Sequence, residues 1–260
     1  MTGEPLVLIH GFTGSARLWD PIVPLVESRH DVLVVTLAGH FEGEPIDDPS
    51  IATLADALER DLDRAGLETA HLVGNSLGGW MALELAKRGR ARSVVGLSPA
   101  GGWAAGSPEQ ERVGRLFRRF ERALKVGGRF AEPLSSRPGL RKLAMRDLLA
   151  HPERMPPAAA LATIRGAAAC EIVGPLIDAV DRDGPPTDFT SIDVPVRVAW
   201  GTADRILTYP RYWEPLKRIL PPHTELVELP GLGHVPMWDD PQLVARTVLE
   251  ATARVSAAAA

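Results

Sequence analysis

The chain has 260 residues, 45% apolar and 24% charged, with a formal net charge of -4. That balance suits one soluble α/β domain with a full core, or one such domain carrying an insertion. It offers no broad basic surface for nucleic acid or an anionic membrane. The single cysteine, Cys170, excludes an internal disulfide and a cysteine-built zinc site, and reads as a buried small apolar side chain. With no charged leader, no long apolar leader segment and no run of about twenty apolar residues, a cytoplasmic location without stable membrane association is expected.

Residues 6–9 form a continuous apolar run, the pattern of a parallel strand covered on both faces, and open into His10-Gly11-Phe12-Thr13-Gly14-Ser15. A helix is expected through Leu18, Ile22 and Leu25, then a strand over 32–35 leading into Leu37-Ala38-Gly39-His40. Ser50 caps a helix that carries Ile51, Leu54, Ala55, Leu58 and Leu62 on one face. A strand over 70–74 breaks at Gly74-Asn75-Ser76-Leu77-Gly78 and turns at once into a helix over 77–88; a strand over 93–97 follows. Residues 196–200 and 225–229 read as two more strands, and a helix near 241–254 closes the fold before an Ala-rich tail that is expected to fray. The alternation predicts an α/β fold, with a mostly parallel sheet of about six strands, helices on both faces and right-handed crossovers.

Residues 101–190 break the rhythm. They show no strand-like run and read as several helices inserted before the last two strands, so 1–100 and 191–260 are expected to form the core and 101–190 a helical cap. Val113, Leu116, Phe117, Phe120 and Leu124 make an apolar stripe with Arg112, Arg115, Arg118, Arg119 and Arg122 around it. Between 101 and 146 there are eleven Lys/Arg against four Asp/Glu. The excess is either a solvated basic face or part of a lid with one or two arginines holding an anionic substrate group.

Gly-Asn-Ser-Leu-Gly between a strand and a helix is a G-x-S-x-G nucleophile elbow. The turn holds Ser76 in strained backbone above a helix N-terminus, whose free amides face any negative charge formed there. A serine hydroxyl needs a base, and the base needs a carboxylate to fix its tautomer. His234, in Pro-Gly-Leu-Gly-His-Val-Pro, and Asp204, in Trp-Gly-Thr-Ala-Asp-Arg, each follow a predicted strand. They are therefore expected at the same sheet edge as Ser76, in the chain order Ser, Asp, His. Asp193, Asp239 and Asp240 stand as alternative acids, while His30, His71, His151 and His223 have no catalytic context. The backbone amides of Phe12 and Leu77 are expected to form an oxyanion hole, with His10 bracing the loop rather than acting as a base. Trp80, Trp103, Phe117, Phe120 and Val235 are candidate pocket residues, Trp80 being either a pocket wall or plain core packing.

With these residues in view, the chain resembles the α/β-hydrolase superfamily over about 1–100 and 191–254. The resemblance implies a helical cap in between and, with so few residues ahead of the first strand, a shortened six-stranded core. Many relatives read Asp-x-x-Gly-His-Gly after the second strand, whereas here Leu37-Ala38-Gly39-His40-Phe41 lacks that Asp and the last Gly. Serine at 76 argues against haloalkane dehalogenases and epoxide hydrolases, whose pattern places Asp there. Gly74 to Gly79 resembles carboxylesterases and meta-cleavage C–C hydrolases, and residues 10–15 with Trp19 resemble MenH-like lyases. That last subgroup carries Arg where this chain has Trp80. The expectation is a serine hydrolase of a small or medium, largely apolar ester, with a small-molecule substrate and neither cofactor nor metal. C–C hydrolysis or MenH-like elimination with the same triad, and a ligand-binding receptor with a vestigial triad, are the alternatives. No pattern in the sequence assigns an oligomeric state.

Overall fold

A computed structural model describes residues 3–185 and 188–259. Strands β1 (Glu4–Ile9), β2 (His30–Val35), β3 (Ala70–Asn75), β4 (Ala91–Leu97), β5 (Val196–Gly201) and β6 (Glu225–Leu229) form one sheet in the order β2-β1-β3-β4-β5-β6. Every neighbouring pair is parallel. The period-two geometry of a strand explains the unbroken apolar runs. In β1, Val7 and Ile9 enter one core with Leu54, Leu58 and Met81. Leu6 and Leu8 enter a second core, on the opposite face, with Val26, Val244 and Val248.

The covering helices are α1 (Val23–Val26), α2 (Ile51–Arg64) and α3 (Leu77–Lys87) in the first half, and α9 (Trp213–Lys217), α10 (Pro236–Asp239) and α11 (Pro241–Ala259) in the second. Ser50 and Thr53 close a reciprocal capping box at the start of α2, each side-chain oxygen accepting from the other's backbone N–H. The helix expected through residues 18–25 is broken into a 3-10 turn (Ala16–Trp19) and the single turn α1. Pro21 and Pro24 lie in this stretch, and neither has an amide to continue a ladder. The closing helix, by contrast, runs through the alanine tail to Ala259, as the high helix propensity of alanine allows.

Between β4 and β5 the described residues form no strand. They make α4 (Pro108–Gly127), α5 (Ala131–Ser136), α6 (Pro138–Met145), α7 (Pro157–Ala168) and α8 (Val173–Asp183). The chain leaves β1 toward the β2 edge and returns to β3 on the other side of β1, so the winding direction reverses between β1 and β3. Ligand crevices form at the carboxyl ends of strands at such a switch point. The loop after β1 carries Phe12, and the turn after β3 carries Ser76.

Candidate active site

Ser76 has φ +55° and ψ -116°, a strained conformation for a residue with a Cβ. The strand and helix on either side meet so closely that glycine is required at both flanks. A Cβ on Gly74 would stand 2.0 Å from Gly78 O, and one on Gly78 would stand 2.2 Å from Ile9 O. The result is a serine held above the N-terminus of α3, between β1 and β3.

Asp204 follows β5 and His234 follows β6, and the two side chains meet in a buried pair. His234 Nδ1–H donates to Asp204 Oδ2 at 2.7 Å. The other carboxylate oxygen, Oδ1, accepts the backbone amides of Ile206 at 2.8 Å and Leu207 at 2.9 Å. The carboxylate only accepts, so the proton of the neutral ring sits on Nδ1 and the Nε2 lone pair is left free. Ser76 and His234 line the same cavity, and no hydrogen bond joins their side chains in this structure. Such bonds are often long in ligand-free sites and tighten on binding.

The backbone amides of Phe12 and Leu77 donate to no protein acceptor among the described residues. The loop bearing Phe12 is pinned by His10, whose Nδ1–H donates to Gly11 O at 2.8 Å and whose Nε2 accepts from Leu37 N–H at 3.0 Å. The bond from Leu37 requires the neutral ring, because Nε2 can accept only when unprotonated. Burial, with the nearby His40, holds the His10 pKa down to about 3, and burial holds His40 at about 4. The His40 ring packs edge-on to His10 at 5.0 Å and to Phe12 at 5.8 Å. The loop after β2, which lacks the usual Asp and Gly, thus packs on the Phe12 loop through His40.

Three further residues tie the site together, and the sequence singled out none of them for this. Asn75 donates from Nδ2 to Leu97 O at 3.1 Å and to His234 O at 2.8 Å, joining the elbow to the histidine loop. Asp239, weighed from sequence as a spare acid, accepts Gly233 N–H at 2.7 Å, Ala150 N–H at 3.0 Å and His151 N–H at 2.9 Å. Its carboxylate therefore clamps the histidine loop to the connection between α6 and α7 of the helical segment. Arg112 of α4 donates to Ile206 O at 2.7 Å, Arg205 O at 3.1 Å and Tyr212 Oη at 3.2 Å, anchoring that segment to the loop of Asp204. Asn75 stood inside the elbow motif, and Asp239 lay five residues past His234. Arg112 had no signal to separate it from its neighbouring arginines.

Two cavities open beside Ser76. One, about 70 Å³, includes Trp80, Trp103 and Phe117 in its wall. The other, about 470 Å³, includes Phe117, Phe120, His234 and Val235. Trp80 is also a core residue, 2% exposed, with its Nε1–H donating to Glu84 and its ring edge-on to Trp103. Cys170 is buried, and that burial pushes its thiol pKa up to about 11, which leaves it unreactive at neutral pH. The remaining histidines have structural partners: His30 on Thr252, His71 on Ser93, His151 near Glu153 and His223 on Val194 O. Among the described residues no group of three or more His, Cys, Asp or Glu could hold a metal ion. No single helix among them is long and apolar enough to cross a membrane.

A family model described as the Alpha/beta hydrolase family matches residues 6–247. Epoxide hydrolase EphH of Mycobacterium tuberculosis is 38% identical over 193 residues, covering 74% of this chain and 90% of that protein. A thermophilic esterase from Thermogutta terrifontis superposes with TM-score 0.75 at 24% identity, covering 98% of this chain and 91% of that one. A 2-hydroxy-6-oxo-6-phenylhexa-2,4-dienoate hydrolase from Rhodococcus superposes with TM-score 0.74 at 20% identity, covering 96% and 90%. The two superpositions show a shared fold and no more. The match of the family model from the first strand into the last helix carries the stronger statement: this chain is an enzyme and belongs to the alpha/beta hydrolase family.

Proposed function

We propose that the enzyme hydrolyses a carboxylic ester through an acyl-enzyme, with Ser76 as nucleophile, His234 as base and Asp204 as the group that orients it. The observation that carries this reading is the buried 2.7 Å bond between His234 Nδ1 and Asp204 Oδ2, which leaves the Nε2 lone pair free on a ring that borders the same cavity as Ser76. In the first step Nε2 takes the Ser76 proton as Oγ attacks the ester carbonyl. The negative charge that moves to the carbonyl oxygen meets the free amides of Phe12 and Leu77, each worth roughly 10²–10³ in rate at such a site. His234 returns the proton to the leaving oxygen, then activates a water that releases the acid. The helical segment 101–190 acts as the lid, since the apolar stripe of α4 supplies Phe117 and Phe120 to the cavity walls.

Epoxide opening is the second reading, favoured by the name of the Mycobacterium relative. Against it, a serine that opens an epoxide ends in an ether, with no carbonyl for water to attack. An acyl-serine hydrolyses readily. Ser76→Ala should abolish turnover of p-nitrophenyl acetate while leaving the circular dichroism spectrum unchanged, and a fluorophosphonate should label the wild type but not the variant. Wild-type rates in the variant would end the reading, and absence of labelling would favour a binding protein. Turnover of styrene oxide without ester turnover would favour the second reading. C–C hydrolysis by the same triad would show as cleavage of a meta-cleavage product analogue at a rate above that for esters.

A further inference from the structure

Ser76 stands between two unequal compartments. Phe12, Ser76 and Phe117 border both, and the rings of Phe12 and Phe117, 4.9 Å apart, form the partition. The smaller compartment, about 70 Å³, is walled mainly by Ile51, Leu77, Trp80, Trp103, Val113 and Leu176. Gln110 and Asp181 also border it, and they are bonded to each other at 2.9 Å. The larger compartment, about 470 Å³, contains His234 and extends past Leu116 and Phe120 to Arg119, Arg146 and Asp147. His234 borders only the larger one.

That asymmetry orients a substrate. When the tetrahedral intermediate collapses, the bond from carbon to the leaving oxygen or sulfur breaks, and that atom must collect the proton held on His234 Nε2. The leaving group must therefore lie on the side of His234, and the acyl chain must lie on the other. Building on the proposed acyl-enzyme route, we infer that the small compartment receives the acyl chain and the large one the leaving group. The substrate class is then a short-chain ester or thioester of a bulky, anionic alcohol or thiol.

The sizes set the acyl limit. An apolar cavity of about 150 Å³ admits benzene, so about half that volume holds an acyl chain of roughly two to four carbons and rejects a benzoyl or octanoyl group. The larger space falls within the 300–1,000 Å³ of pockets that take drug-sized ligands. Arg119 has no ion-pair partner among the described residues, and the one acid near Arg146 is Asp147 at 3.9 Å. Two cations against one carboxylate leave a net positive charge at that end, suited to a carboxylate or a phosphate.

Two ester series on the enzyme test the assignment. With p-nitrophenol as the fixed leaving group, kcat/KM should fall at least tenfold from acetate and butyrate to octanoate and benzoate. Val113→Ala and Trp80→Ala should each move the optimum toward longer chains, the first variant serving if the second does not fold. With acetyl fixed, 4-carboxyphenyl and 4-phosphonooxyphenyl acetates should be preferred over phenyl acetate, and the two anions separate the carboxylate and phosphate sources. Changing Arg119 and Arg146 together to Gln should lower the ratio of anionic to neutral rates about fivefold, the upper range for exposed ion pairs. Octanoate or benzoate hydrolysed as fast as acetate would overturn the compartment assignment. An unchanged anionic-to-neutral ratio in the double variant would overturn the role of the arginines. Absence of Ser76-dependent turnover across both series would remove the proposed route, and this inference with it.

Discussion

Protonation of His10 should destabilise the fold well above the pH at which the buried ring itself titrates. In the folded chain this ring must be neutral, because Nε2 receives an amide proton from Leu37 while Nδ1 donates to Gly11. Burial and His40 hold the folded pKa at about 3, against 6.5 for the free side chain, and His40 sits at about 4. Both folded values lie below the unfolded ones, so the unfolded chain binds more protons in between. Stability is therefore complete above about pH 7 and drains away as the pH falls below 6.5. At pH 5 an unfolded histidine is about 97% protonated and folded His10 about 1%, a difference of about 2 kcal/mol, with a similar amount from His40. Urea titrations at pH 7 and pH 5 on the wild type and on His10→Gln would measure this. The wild type should lose about 4 kcal/mol through the two rings, and the variant about 2 kcal/mol less. A variant as sensitive to acid as the wild type would refute the claim that His10 is held neutral.

Other substitutions address the framework of the site. Asp239→Asn points an NH2 group at amides that now share a carboxylate, leaving at least one buried donor unpaired at a cost of about 1–3 kcal/mol. The melting temperature and kcat should both fall, and a variant with both unchanged would show that the clamp is idle. Gly74→Ala drives a Cβ to 2.0 Å from Gly78 O, an overlap of backbone that costs well over 1–3 kcal/mol, so the variant should fail to give a cooperative melt. A native-like melting temperature would refute the packing argument. Arg112→Met keeps the stem but removes the bonds to the Asp204 loop. Limited proteolysis within 108–183 should accelerate, and unchanged cleavage would show that this anchor does not hold the helical segment.

Much of the architecture was legible because it rests on local physics. A run such as Leu-Val-Leu-Ile is apolar at every position only if both faces of its strand are covered, and here Leu6 and Leu8 enter one core while Val7 and Ile9 enter the other. The elbow was legible for a similar reason, since glycine at 74 and 78 answers a steric demand within a few residues of Ser76. The helix expected through residues 18–25 was misjudged, because apolar spacing was weighed there without the two prolines that interrupt it.

Roles shared among similar residues were only partly legible. Asp204, following a predicted strand, was legible as the partner of His234, but the work of Asp239, weighed only as an alternative acid beside Asp193 and Asp240, was not. The packing of β5 beside β6 puts Asp204 on His234 and leaves Asp239 to three backbone amides. The arginines of α4 are equally alike in sequence. The rotation of that helix on the core sends Arg112 to the carbonyls of 205 and 206, Arg118 to Asp178, and Arg119 to the rim of the larger cavity. The sequence by itself determined the strands, the elbow and the order of the candidate catalytic residues, since sterics and burial act over a few neighbouring positions. The tertiary structure alone decided what Asp239 binds, which arginine reaches the cavity and which compartment His234 serves. Those choices depend on distances between elements that lie far apart along the chain.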